Sequence, residues 1–192
     1  MAGRPRSFDR DAALLAAVEE FWRSGYDGSS IARLTAAMGI TAPSLYAAFG
    51  DKQHLFDEAS ALYFDRAIAA VDDATALPTV EQAIARILDH TAHAHTGPTT
   101  PPGCLMLTEP RLGAQRETLR ARLQARLDQG VRDGDLAATV NSDQFAEFLV
   151  AVLRGMSGCA RDGGSTQDLL NIADTAMTAL RAVSAGAQAK HS

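Results

Sequence analysis

The 192-residue chain has two cysteines, one tryptophan, three tyrosines and only two lysines. Cys104 and Cys159 are too few for a disulfide framework, and a reducing cytosol is the default compartment. No run of 18 apolar residues occurs, which excludes a membrane-spanning helix of ordinary length. The start Met1–Arg6 is basic with no apolar stretch behind it, so it is not expected to act as a secretory signal. No strand-like alternation and no internal repeat is visible. There is also no Gly-x-Ser-x-Gly, no P-loop and no dinucleotide fingerprint, and the scattered Glu109, Glu117 and Asp128 read as solvated helix faces. An enzyme is not expected, and no cofactor is implied.

Excess positive charge is lacking too. The net charge is -5 at neutral pH. Residues 1–52 balance six basic against six acidic side chains, so the whole deficit lies in 53–192. Only a local patch in the first quarter of the chain is suited to phosphate.

What the chain does have is helical periodicity throughout. Leu14, Val18, Phe21 and Trp22 form one stripe, which Gly25 stops. Ser29 or Ser30 caps a second helix whose inner face is Ile31, Leu34 and Met38. After Gly39-Ile40, Thr41 caps a third, with Pro43 tolerated in its first turn and Leu45 and Phe49 facing the core. Asp51 caps a fourth. Thr79 with Gln82 begins a later amphipathic helix, and residues 97–103 are a Pro/Gly loop. A short helical piece is expected at 104–107, then a helix through Leu119, Leu123 and Leu127, with Gly130 and Gly134 marking a turn. Two long apolar helices, 142–162 and 166–184, form an antiparallel hairpin around Asp162-Gly163-Gly164-Ser165, and the tail after Ser184 reads as frayed.

Residues 30–49 therefore carry helix-turn-helix spacing. Helix 30–38 braces from behind, and helix 42–49 offers small side chains (Ala42, Ser44, Ala47) that permit close approach to base edges in a major groove.

Residues 41–56 hold Thr41-Ala42-Pro43-Ser44, then Leu45-Tyr46, Phe49, Lys52 and Leu55-Phe56, with Gly25-Tyr26 and Ser29-Ser30-Ile31 upstream. In that register the segment from about 7 to 62 resembles the N-terminal domain of the tetracycline-repressor (TetR) family of transcriptional regulators. The resemblance implies an all-α protein: an N-terminal three-helix DNA-binding domain (1–52) and a larger helical ligand-binding and dimerisation domain (53–192). It implies that Tyr46, Lys52 and Ser29 or Ser30 meet phosphates. Thr41, Ala42, Pro43 and Ser44 would face bases, Arg33 a base or phosphate, and Arg4 and Arg6 would extend as an arm. Thr35, where alanine is frequent in the family, and Ala47-Ala48, where bulkier or polar residues are frequent, are departures.

The expected protein is then a cytoplasmic repressor, a homodimer through 142–162 and 166–184. Its double-stranded DNA operator is near-palindromic, and a small, largely apolar effector releases it. Phe64, Ile87, Met106, Leu107, Phe148 and Met156 are candidates for lining the effector pocket. Two other chemistries are readable. His90, His93 and His95 have spacing that suits a metal, although a helix end before a Pro-rich loop explains them without one, and no metal is expected. Cys104 near a helix start offers an alternative regulator that senses oxidants or electrophiles through its thiol.

Overall fold

A computed structural model describes residues 8–188. Among these residues there are nine α-helices, one 3-10 turn and no strand. The chain divides into two compact units, with the boundary after Asp65.

The first unit holds α1 (Arg10–Gly28), α2 (Ile31–Met38), α3 (Ala42–Phe49) and the first part of α4 (Lys52–Thr75). Helices of eight residues are too short to persist alone. α2 and α3 exist because Leu34, Met38, Leu45 and Phe49 are buried, in a unit whose other interior side chains include Leu14, Val18 and Phe21 of α1 and Leu55, Phe56 and Ala59 of α4. Burying such a side chain contributes roughly 1.5–3 kcal/mol, a gain that an isolated short helix does not have. Aromatic edges close the far side: Phe21 and Tyr26 meet Phe56 at ring separations of 5.1 and 5.0 Å, and Trp22 meets Tyr63 at 4.9 Å. Because α4 supplies part of this core, the unit extends beyond residue 52 to Asp65.

Local chemistry sets the helix ends. Asp9, Ser30 and Thr41 each accept a hydrogen bond from a backbone N–H of the following first turn. Gly39 ends α2 in the left-handed region (φ 64°), which a β-carbon would disfavour; this is the turn between α2 and α3. Gly25 stops the regular helix of α1, as expected: its backbone is non-helical (φ 68°, ψ 174°), and a separate short turn follows as far as Gly28.

The second unit contains α5 (Val80–Thr96), α6 (Leu105–Thr108), α7 (Gly113–Asp133), α8 (Ser142–Arg161) and α9 (Thr166–Gln188). α8 and α9 form a hairpin, and α5 packs along α9. Thr96 meets Thr166 at 2.7 Å, and Arg181 meets Glu81 at 2.7 Å, so α5 and α9 run in opposite directions. Ile84, Leu88, Leu105, Leu123, Leu149 and Leu180 are among the fully buried residues.

Three expectations need correction. Gly130 does not mark a turn: it lies inside α7, where a β-carbon would stand 2.1 Å from a methyl of Val80. The glycine is there for helix–helix approach, and Gly134 makes the turn. Glu109 is buried, not solvated, because it caps the 3-10 turn Pro110–Leu112 by accepting from the Arg111 N–H. α9 continues past Ser184 to Gln188.

Candidate nucleic-acid interface

α3 is two-faced. Leu45 and Phe49 are buried; Thr41, Pro43, Tyr46 and Ala47 are exposed, and Ala42, Ser44 and Ala48 are half-buried. Tyr46 is 49% exposed, a large ring standing off an otherwise low surface. Thr41 has two partners at once. Its hydroxyl accepts from the Ser44 N–H at 3.3 Å and lies 3.0 Å from the Ser44 hydroxyl, so both hydroxyls sit at the start of α3.

Lys52 opens α4. Its ammonium lies 4.2 Å from the centroid of the Tyr26 ring, a cation–π contact that restrains the side chain next to the helix start. Asp51 caps the same end, its carboxylate accepting from the His54 N–H at 2.9 Å, and that bond holds its pKa below the ordinary value.

The two serines before α2 have opposite fates. Ser30 is exposed and caps α2 through the Arg33 N–H at 3.2 Å. Ser29 is fully buried and donates to the Gly25 carbonyl at 2.7 Å, so it presents nothing to a duplex. Of the two candidates, Ser30 is the one at the surface. Arg33 is also engaged. Its Nε donates to Glu20 at 2.6 Å and one terminal nitrogen to Ser24 at 2.8 Å, which turns it back onto α1. Glu20 is itself buried, so Arg33 supplies the countercharge that an interior carboxylate needs. Thr35 fits without disturbance: its hydroxyl donates to the Ile31 carbonyl at 2.8 Å, one turn back. Arg4 and Arg6 lie outside the described residues.

A braced helix with a low outer face, hydroxyls at its start and a tyrosine further along is the geometry of a major-groove reader. Known proteins agree. Residues 13–59 match the model of "Bacterial regulatory proteins, tetR family". The HTH-type transcriptional repressor ComR of Escherichia coli (strain K12) is 37% identical over 91% of this chain and 90% of its own length. The chain belongs to the TetR family. BdcR, another HTH-type transcriptional repressor of the same organism, is 30% identical over 94% of this chain and 93% of its length. Among solved structures, the TetR family regulator CifR, in a cysteine-substituted form complexed with 26-bp double-strand operator DNA, superposes with a TM-score of 0.88 at 37% identity. It covers 92% of this chain and 99% of that one. The protein is accordingly an HTH-type transcriptional regulator of the TetR family.

The second unit places most of the remaining candidates. Ile87, Met106, Leu107 and Met156 are all buried in it, on α5, α6 and α8. Phe64 belongs to the first unit and is half-buried. Phe148 does not face the interior. It is 40% exposed and pairs with Phe145 at 5.4 Å, because α8 turns Leu149, Leu153 and Met156 inward and leaves Phe148 on the outside. Near Phe145, a cleft of about 420 Å³ is lined by Asn141, Gln144, Phe145, Ala182 and Val183 among others.

Cys104 is 4% exposed, and its N–H donates to the buried Ser157 hydroxyl at 2.8 Å. A thiol so buried is not in the accessible setting of a reactive thiolate. The histidines do not converge. His90 and His93 are exposed, and His95 is buried with no hydrogen-bond partner for Nδ1. Burial, then the neighbouring His90 and Arg161 charges, lower the His95 pKa to about 4. Among the described residues no group of three or more His, Cys, Asp or Glu is placed to hold a metal ion. Nor is any helix there long and apolar enough to cross a membrane.

Sequence reasoning missed Glu20 and Tyr26. Both set the posture of the candidate cations Arg33 and Lys52, and neither has a local pattern that announces the role. The nearest signal is Tyr26 standing next to the helix break at Gly25.

Proposed function

We propose that the protein is a homodimeric repressor that grips a near-palindromic operator with α3 of each copy and lets go when a small, largely apolar effector binds the second unit. The observation that carries the reading is the outer face of α3: small side chains on a braced helix, with Tyr46 half exposed and Lys52 just beyond. In this reading Thr41, Ala42, Pro43 and Ser44 approach base edges. Tyr46, Lys52 and Ser30 take phosphates, with Arg4 and Arg6 as further proposed DNA contacts. Arg33 serves the brace through Glu20 and Ser24, and base contact by Arg33 would first require breaking that pair.

The dimer surface is α8 with α9. Phe148, half-buried Phe145 and Val152, and Ala182 with Val183 make an outward apolar face that a second copy would cover. Two-fold symmetry then puts two α3 helices about one DNA turn or more apart, roughly 34–36 Å or larger. Ile87, Met106, Leu107 and Met156 support an apolar effector, since they are the interior side chains that a ligand entering α5, α6 and α8 would touch. An effector works here only by binding the released form more tightly than the DNA-bound form.

The test is fluorescence polarisation with a duplex that the wild-type protein selects from a randomised pool. Tyr46→Ala and Lys52→Ala are expected to weaken binding, and Lys52→Ala to lower the log–log salt slope by about 0.9 for each phosphate it no longer neutralises. Equal affinity of wild type and the double variant would refute the assigned surface.

A further inference from the structure

Arg10 opens α1, yet its guanidinium reaches two other helices. One terminal nitrogen donates to both carboxylate oxygens of Glu58 on α4, at 2.8 and 2.6 Å, and approaches the Ala48 carbonyl at 3.4 Å. Its central carbon stands 4.3 Å from the centroid of the Phe49 ring. Ala48 and Phe49 are the last two residues of α3. A single side chain thus grips the C-terminal end of α3, where carbonyls carry the negative end of the helix, and ties it to α1 and α4.

The other end of α3 is already fixed. The Ile40 N–H donates to the Thr35 carbonyl at 3.1 Å across the Gly39 turn, and Thr41 caps the helix. Between the two ends only Leu45 and Phe49 enter the core from α3. An eight-residue helix held by two apolar side chains is free to roll about its axis unless its far end is pinned. Rolling matters because the base-facing residues lie on one narrow strip.

We propose that the Arg10–Glu58 pair is a positioning clamp for the reading helix, and that Arg10, despite its charge and its place in the first segment, is not a DNA contact. The inference rests on α3 being the element that enters the duplex. Glu58 matches the Arg10 charge, the cation lies over Phe49, and the Arg10 side chain is only 27% exposed. A clamp and a phosphate contact predict opposite signs for one substitution. Removing the negative charge of Glu58 from a DNA-facing surface would tighten binding to any duplex. Removing it from a clamp weakens binding only where α3 must be aligned.

The test uses full-length Glu58→Gln, Arg10→Gln and the double variant, with polarisation on the duplex selected by wild type and on a shuffled duplex of equal length. Glu58→Gln and Arg10→Gln are each expected to weaken the selected duplex by about tenfold, the scale on which a single mismatched base pair registers. The shuffled duplex and the salt slope stay unchanged, and the double variant is no weaker than either single one. In the free protein, amide exchange at Leu45–Gly50 becomes faster in both single variants. Tighter binding of both duplexes by Glu58→Gln overturns the clamp, as does a salt slope lowered by about 0.9 in Arg10→Gln, or amide exchange identical to wild type. Tyr46→Ala and Ser44→Ala run alongside. If they leave the selected duplex unaffected, the assignment of α3 falls and the clamp with it. If they weaken it while Glu58→Gln does not, the clamp alone falls.

Discussion

His95 makes the stability of the second unit depend on pH in a way that can be worked out. The imidazole is buried, its Nδ1 has no acceptor, and His90 and Arg161 add unfavourable charge, so its pKa falls from 6.5 to about 4. The unfolded chain therefore binds a proton between pH 6.5 and 4 that the folded chain refuses. The stability that His95 contributes by staying neutral is complete above pH 6.5 and is lost as pH falls toward 4. At about 1.36 kcal/mol per pH unit the full penalty is about 3 kcal/mol, and roughly 2 kcal/mol of it is incurred between pH 7.5 and 5. His95→Gln keeps a polar side chain without the titration. Urea unfolding followed by helical signal, at pH 7.5 and pH 5, should show wild type losing about 2 kcal/mol more than the variant over that interval. Subtracting one loss from the other removes the contributions the two proteins share. Parallel losses in wild type and variant would refute the reasoning, because they would mean that the folded interior accepts the proton.

Other substitutions have defined outcomes. Arg33→Ala strands the buried Glu20 carboxylate and should cost the first unit about 2 kcal/mol in urea unfolding, with Glu20→Gln added to Arg33→Ala recovering part of it. Gly130→Ala forces a β-carbon against Val80 and should cost about 1–3 kcal/mol, relieved when Val80→Ala is combined with it; equal destabilisation in both backgrounds would show that the contact is not the cause. Ser30→Ala removes the α2 cap, at a cost of about 1 kcal/mol, and also weakens the selected duplex, whereas Ser29→Ala costs stability without changing the salt slope. Phe148→Glu places a charge in the outward apolar face of α8, and sedimentation should then report a monomer at concentrations where wild type is a dimer.

The parts of the fold that could be read in advance are those set by neighbours in sequence. Thr41 before Pro43, Leu45 four residues before Phe49 and Gly39 before Ile40 specify α3 and its turn without reference to anything distant. Ser29 and Ser30 show the limit. Both are cap-forming types, and only the point where α2 begins decides which is buried and which is at the surface. Periodicity on α8 likewise identified a wide apolar face without showing that it divides between Leu149, Leu153 and Met156 inside and Phe148 outside. The clamp and the brace were illegible for the same reason. Arg10 and Glu58 are 48 residues apart, Glu20 and Arg33 are 13 apart, and a charge on an amphipathic helix looks the same whether it faces water or a partner. Gly130 misled because a glycine needed for close packing and a glycine needed for a turn are identical in sequence.

Charge ties these details to the mode of recognition. Among the described residues of the first unit, Arg10 is matched by Glu58, Arg23 by Glu19 and Arg33 by Glu20, while Lys52 rests on the Tyr26 ring. These three arginines, spent on the unit's own carboxylates, add little attraction for phosphate as such, and the net charge of -5 adds none. Non-specific binding, which depends on counterion release, should therefore be weak, with a shallow salt slope from these residues. Apart from Lys52, what the described residues of the proposed face offer is neutral and directional: the hydroxyls of Ser30, Thr41, Ser44 and Tyr46, and the N–H groups at helix starts. Such groups reward a duplex only when their geometry is met. On the proposed mode of binding, the internal ion pairs would serve discrimination twice, by holding the helices at fixed angles and by keeping these three arginines from phosphates of any sequence.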